Sequence, residues 1–200
     1  ADGSTPEMCG NGIRCLVKYA VEEMGLQDQP LRIWTGAGLR ACTYSTDADG
    51  LVNSVRVEMG PAKVSKLEVE GISGYSVDLG NPHFVIFEPG ELSQARAASL
   101  GAALTSHPTF PEGANIEFVA QPQEDLFEVI VYERGCGLTR ACGTGATAVI
   151  AAAVRCGRAM ANKPVRVRLP GGILAIEVTA DLSQTWMTGP AVEVYRGVRS

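Results

Sequence analysis

The sequence predicts an α/β chain of the α+β type, built from two like halves in which a buried helix is followed by mostly antiparallel strands. Two observations carry this. Cys-Gly-x-Gly occurs at Cys9 and again at Cys142, and the apolar residues that follow the two copies superpose at one constant offset. After each copy come short runs of alternating or continuous apolar residues bounded by Gly and Pro, the pattern of strands and tight turns.

The first copy continues from Cys9-Gly10-Asn11-Gly12 through Ile13, Leu16, Val17, Ala20 and Val21, and the second from Cys142-Gly143-Thr144-Gly145 through Ala146, Val149, Ile150, Ala153 and Val154. This i, i+3, i+4, i+7, i+8 spacing is a helix face. The first helix spans residues 9–25, with Gly25 as its stop. Strands follow at 31–34, 39–45 and 52–59. Residues 60–74 lack periodicity and are the candidate linker between lobes. Strands at 75–79 and 84–87 flank the turn Gly80-Asn81-Pro82-His83. Residues 91–105 are helix-like, and 115–120 and 127–133 strand-like. The second helix, residues 143–156, is apolar almost all round, so it must be buried inside other structure. Strands at 165–169, 173–179 and 186–188 close the pattern, with a further one at 192–195. The sequels also repeat: Pro30-Leu31-Arg32-Ile33 with Gly36 and Gly38 matches Pro164-Val165-Arg166-Val167 with Gly171 and Gly172. Such a repeat implies a duplicated unit, and one that keeps a cysteine at the head of both helices would bring two like groups together across a pseudo-two-fold.

Of the 200 residues, 46% are hydrophobic and 20% charged, which suits a globular chain and not a disordered one. A formal net charge of -5 without a basic run argues against nucleic acid as a partner. No apolar stretch approaches the roughly 20 residues of a membrane span, and no signal-like start is present. The expectation is a soluble, cytoplasmic protein. The six cysteines are dilute in a chain of this length, so reduced thiols are expected. Five residues separate each close pair, Cys9 with Cys15 and Cys136 with Cys142, too many for the usual zinc spacing, so no metal is expected. Cys15, six residues after Cys9, is read as packing; Cys42 and Cys156 are read as structural.

A thiol at a helix start sits beside unpaired N–H groups and the positive end of the helix dipole, which stabilise anions. A thiolate there can be well below its ordinary pKa, and glycines let the same amides approach a substrate carboxylate. The plainer reading is a tight turn with buried packing cysteines; two copies in register favour function. If both thiols face one cavity, one can take a proton from a carbon while the other supplies one to the opposite face, inverting a stereocentre. An amino acid's α-carbon becomes acidic enough when donors neutralise its carboxylate. A pyridoxal route needs a Schiff-base lysine, and Lys18, Lys63, Lys66 and Lys163 lie beside no cofactor motif. No cofactor is expected.

Two strings are specific. Ala1-Asp2-Gly3-Ser4, with Glu7-Met8-Cys9-Gly10-Asn11-Gly12-Ile13-Arg14-Cys15, resembles the first signature of the diaminopimelate epimerase family, and Glu133-Arg134-Gly135-Cys136-Gly137-Leu138-Thr139-Arg140-Ala141-Cys142-Gly143-Thr144-Gly145 resembles its second. Asn81-Pro82-His83 and Asn115 fall in the expected order. The resemblance implies a pyridoxal-independent isomerase that interconverts LL- and meso-diaminopimelate on the route to lysine and peptidoglycan. It also implies two pseudo-symmetric lobes, each a mostly antiparallel sheet curled around a central helix: residues 1–62 with 190–200 in one, 70–189 in the other. By motif, Cys9 and Cys142 are the acid/base pair and His83 and Glu133 tune the thiols. Gly10, Asn11, Gly143 and Thr144 hold the reacting end, and Asn81, Asn115, Glu133 and Arg134 contact substrate. A homodimer is implied, with residues 191–199 returning to the first lobe as its last strand.

From residue type alone, Asn81, Asn115 and His83 are most simply turn residues, and Arg134 is either a carboxylate fork or a surface arginine. The family motif opens with an asparagine just before Ala1, and further substrate contacts lie upstream of it. The 200 residues alone are therefore expected to have little epimerase activity. Pro6 stands where a small alanine is common, and Cys136 adds a thiol that could pair wrongly with Cys142. Three alternatives stay open: another two-thiol racemase of the proline racemase type, a disulfide redox switch, and a non-catalytic anion-binding module.

Overall fold

The computed structural model describes residues 8–197. Residues 1–7, which open the first signature and include Pro6, and residues 198–200 lie outside the described part. Helix α1 (Gly10–Glu22) buries Gly10, Ile13, Arg14, Val17 and Ala20. Leu16, expected on that face, is 47% exposed. At about 100° per residue it lies near the edge of the arc that Ile13, Val17 and Ala20 define. Cys15, expected to pack, points away from the arc and is exposed. The helix ends three residues before Gly25, whose φ of 69° turns the chain aside.

Strands β1 (Leu31–Thr35), β2 (Gly38–Thr46) and β3 (Val52–Gly60) follow as an antiparallel meander. Residues 60–74, expected to be a linker, instead form β4 (Lys63–Val69) and lead into β5 (Ile72–Asp78). Glu70 and Gly71, with φ of 50° and 78°, make the tight turn between them. β4 is the last strand of the sheet, and an edge tolerates Lys63, Lys66 and Glu68, which blur the alternation a covered strand would show. Next come β6 (Pro82–Phe87), α2 (Gln94–Thr105), β7 (Asn115–Gln123), β8 (Leu126–Glu133) and the short β9 (Gly137–Thr139). Ser93, whose hydroxyl accepts the Arg96 N–H at 3.3 Å, sets the start of α2. Helix α3 (Gly143–Arg155) is buried at every residue from Gly143 to Ala153. It packs against β5, β6 and β7 on one side and β11 and β12 on the other. A helix with no polar face is stable only in such a wrapping, and each buried Val or Ile contributes about 1.5–3 kcal/mol.

The chain closes with β10 (Val165–Leu169), β11 (Gly172–Val178) and β12 (Thr185–Gly189). Residues 192–195 form no strand, and Val192, Val194 and Tyr195 are 74–88% exposed. The segment instead runs beside α1, tied by Arg196 to Glu23 at 2.7 Å. The described part of 191–199 therefore returns toward α1 without a strand ladder; its last two residues lie outside the described part.

The duplication is visible in the ladders. In the hairpin after α1, Leu31 faces Cys42 and Thr35 faces Gly38; after α3, Val165 faces Ile176 and Leu169 faces Gly172. The registers are the same. The third strands, β3 and β12, pair with each other antiparallel, with Val57 opposite Met187. The strand order β1-β2-β3-β12-β11-β10 therefore reads the same from either end, and a local two-fold passes between Val57 and Met187. Beyond β10 the sheet continues through β8, β7, β6, β5 and β4, with two parallel steps, β10 to β8 and β6 to β7. The fold is the mixed, mainly antiparallel α/β arrangement expected from the sequence.

Gly74 in β5 tests this packing, because a Cβ there would lie 2.7 Å from the Val85 carbonyl oxygen and 2.7 Å from the Phe84 ring. The oxygen belongs to a paired strand and cannot step aside. Gly74→Ala should cost about 1–3 kcal/mol, read as a lowered midpoint of urea unfolding.

Candidate active site

Both cysteines of the repeat are helix N-caps. Cys9 (φ -117°) and Cys142 (φ -132°) have extended backbones, and each sulfur accepts the N–H of the residue three ahead, Gly12 or Gly145, at 3.4 Å. The glycines keep that amide open: a Cβ on Gly145 would stand 3.2 Å from the Cys142 sulfur and 2.9 Å from a Glu117 carboxylate oxygen.

The two helix starts abut. A Cβ on Gly143 would be 3.6 Å from the Gly10 Cα. The Met187 thioether, at the local two-fold, lies against both: 2.7 Å (Cε) and 3.2 Å (Sδ) from a Cβ on Gly10, and 2.8 Å (Sδ) from one on Gly143. Two sets of unpaired helix N–H groups and two thiols thus share one locality.

The surroundings of the two sulfurs differ. Cys9 is exposed, whereas Cys142 is 6% exposed. The Cys142 sulfur lies 3.5 Å from the Thr144 hydroxyl, to which the Asn81 amide donates at 3.5 Å. His83 continues the chain, with Nε2 3.1 Å from the Asn81 oxygen and Nδ1 2.7 Å from Glu117 Oε1. Burial pushes the Cys142 thiol up to about 12, and the charges of Glu133 and Glu117 add to this against the hydrogen bonds from Thr144 and Gly145. In the substrate-free protein Cys142 therefore keeps its proton at neutral pH.

Cys142, Gly143, Thr144, Asn81, His83 and Glu133 thus gather at one end of α3, and Cys9, Gly10 and Asn11 at the facing end of α1. His83 touches neither sulfur; it reaches Cys142 through Asn81 and Thr144. Glu133 is not hydrogen-bonded to the thiol either: it accepts a short hydrogen bond from the Thr139 hydroxyl and acts on Cys142 by its charge. Asn115 and Arg134 form a second group, in which the Asn115 oxygen accepts the Arg134 backbone N–H at 3.0 Å and the guanidinium donates to the Glu112 carbonyl at 2.7 Å. Asn11 Oδ1 is buried without a hydrogen-bond partner among the described residues.

Two residues of this region escaped the sequence reading. Glu117 is fully buried beside His83, with its second oxygen unpartnered among the described residues; its signal was a lone carboxylate between Ile116 and Phe118 in an apolar run. Arg14 is only 9% exposed; its signal was its place on the buried stripe, four residues after Gly10 and three before Val17.

At neutral pH, iodoacetamide should label Cys9 well before Cys142 in substrate-free protein, as peptide mapping by mass spectrometry would reveal; equal rates would contradict the difference in burial. The buried thiols also set a pH window. Cys42, desolvated and facing the charge of Glu58, is pushed up to about 11, and Cys142 to about 12, from an ordinary 9.0. A raised native pKa stabilises the fold below the unfolded value, and that contribution is lost as pH climbs through the native one. Stability in urea should therefore decline from about pH 9 upward, with a shallower decline in Cys42→Ala.

Comparison with known proteins agrees with this geometry. A family model described as diaminopimelate epimerase matches residues 1–65 and 75–194. A diaminopimelate epimerase of Heliobacterium modesticaldum is 38% identical over 215 residues, covering 98% of this chain and 75% of the relative. One of Synechococcus elongatus is 40% identical over 217 residues, covering 98% and 74%. Among solved structures, a hydroxyproline epimerase from Agrobacterium vitis superposes with a TM-score of 0.71 at 19% identity, over 92% of this chain and 64% of that one. A probable proline racemase from Agrobacterium radiobacter gives a TM-score of 0.70 at 19% identity, over 92% and 65%. The chain thus spans about three quarters of its sequence relatives and slightly under two thirds of these structural neighbours; at 19% identity the latter speak for the fold alone. With that family model matched over most of its length and relatives 38–40% identical, the chain belongs to the diaminopimelate epimerase family.

Proposed function

We propose that this chain supplies Cys9 and Cys142 as the acid/base pair of a cofactor-independent epimerisation of LL-diaminopimelate to meso-diaminopimelate. The observation that carries the reading is the meeting of two thiol-capped helix starts at Gly10 and Gly143. A substrate α-carboxylate set between them would take hydrogen bonds from amides at both ends, and the same dipoles would stabilise the enolate-like charge that forms as the α-proton leaves. Gly10, Asn11, Gly143 and Thr144 would hold this end.

The roles of the thiols follow from their surroundings. Cys142 retains its proton and is the donor in the resting enzyme; Cys9, the exposed partner, is the base. One sulfur takes the α-proton as the other delivers its own to the opposite face, and the reverse reaction runs with the roles exchanged. His83 and Glu117, through Asn81 and Thr144, orient the hydrogen bond at Cys142, and Glu133 keeps its proton in place. Asn81, Asn115, Glu133 and Arg134 would contact the rest of the substrate, with the Arg134 guanidinium as a fork for a carboxylate. The same reading divides the chain into lobes of 1–62 with 190–200 and of 70–189, which meet where β3 pairs with β12. A cytoplasmic homodimer is part of the proposal and rests on the resemblance alone.

The test is α-proton exchange with deuterated solvent on LL-diaminopimelate, in a full-length version and in its Cys9→Ala and Cys142→Ala variants. Each substitution should lower epimerisation by about 100-fold or more. Full epimerisation by either variant would overturn the two-base assignment.

A further inference from the structure

Arg14 is a cation in an unusual place. Its side chain runs from α1 back under the helix start: Nη1 lies 3.4 Å from the Gly10 carbonyl and 3.5 Å from Met187 Sδ, and Nε donates to the Pro190 carbonyl at 3.0 Å. That sulfur is the atom against which both helix starts rest. All of these partners are neutral, and among the described residues no carboxylate forms an ion pair with it. A buried guanidinium without a counter-charge costs several kcal/mol. Burial accordingly lowers the Arg14 pKa, and the charges of Cys15 and then Cys9 oppose that shift. Two helix dipoles and one full charge thus converge at the junction; Glu117 and Glu133 lie on its Cys142 side, and none of the described carboxylates pairs with Arg14.

We infer that Arg14 is the fixed counter-charge of the reacting centre, a positioning residue that holds anions at the paired helix starts. The anions it serves are the thiolate of Cys9 and the substrate's α-carboxylate; it acts through the field at Gly10 and Met187 without touching the reacting carbon. The inference rests on the epimerase reading for the identity of the substrate anion, and its field acts on Cys9 whether or not the protein turns over. A mere strut tying α1 to Pro190 would need the hydrogen bonds of Arg14 and not its charge.

Paired alkylating reagents separate charge from strut. Iodoacetate and iodoacetamide attack the same thiolate, so the ratio of their rates at Cys9, read from the Cys9 peptide by mass spectrometry, cancels the thiolate fraction and reports the local potential. In the native protein the ratio should exceed that of a short cysteine peptide. Arg14→Gln, which keeps a donor and loses the charge, should lower it by about threefold or more, and added salt should narrow the difference. Arg14→Lys, which keeps the charge and loses the fork, should retain most of it. A native ratio no higher than that of the peptide overturns the inference without need of any variant. So does an unchanged ratio in Arg14→Gln when circular dichroism finds it folded. Neither outcome depends on turnover, so a failure here leaves the two-cysteine assignment standing, and inactivity of the cysteine variants leaves this result intact.

Discussion

The contact on which the rest depends is the head-to-head meeting of α1 and α3 over Met187. Each helix start carries the equivalent of roughly half a positive charge, so bringing two together is electrostatically unfavourable before anything binds. The glycines at Gly10 and Gly143 permit the approach because a side chain at either would strike Met187, and the thiol sulfurs satisfy one amide on each helix. Hydrophobic burial of α3 and the ladder between β3 and β12 hold the ends in place. What the arrangement obtains is a site that favours negative charge, the requirement for removing a proton next to a carboxylate.

The local two-fold relates backbones more closely than surroundings. The hairpin registers after α1 and α3 match residue for residue, yet α3 lies within a sheet that wraps it, while α1 packs mainly on β3. Cys142 is consequently desolvated, faced by Glu117 and Glu133, and linked through Thr144 and Asn81 to His83; Cys9 is open, and Arg14 is among the charges that act near it. Equivalent atoms thus sit in opposite electrostatic settings, carboxylates near one and a guanidinium near the other. An acid and a base are distinguished by such settings, since the chemistry of the two thiols is otherwise identical.

Much of this was legible in the sequence because it is periodic. The helix faces, the strands after them and the glycine turns each leave a mark at spacing 2, 3 or 4, and Cys9 and Cys142 are placed by the motif itself. Where the period is diluted the reading failed: Lys63, Lys66 and Glu68 on an edge strand looked like a linker, and Val192 to Tyr195 alternate like a strand but find no ladder. Glu117 and Arg14 were missed for a related reason. Charged residues inside apolar patterns look like interruptions until their partners are known.

The sequence by itself determined the family, the duplication and the placing of Cys9 and Cys142 at two helix starts, since each depends on residue type at a fixed separation. Only the tertiary structure decided that the two helix starts touch, that His83 reaches Cys142 through Asn81 and Thr144 without contacting it, and that Arg14 lies buried beneath the junction. These facts depend on contacts between residues far apart in the chain, as Asn81 is from Thr144, Gly10 from Gly143 and Arg14 from Met187. Desolvation and the direction of a charge's field are properties of that packing, and no local pattern records them.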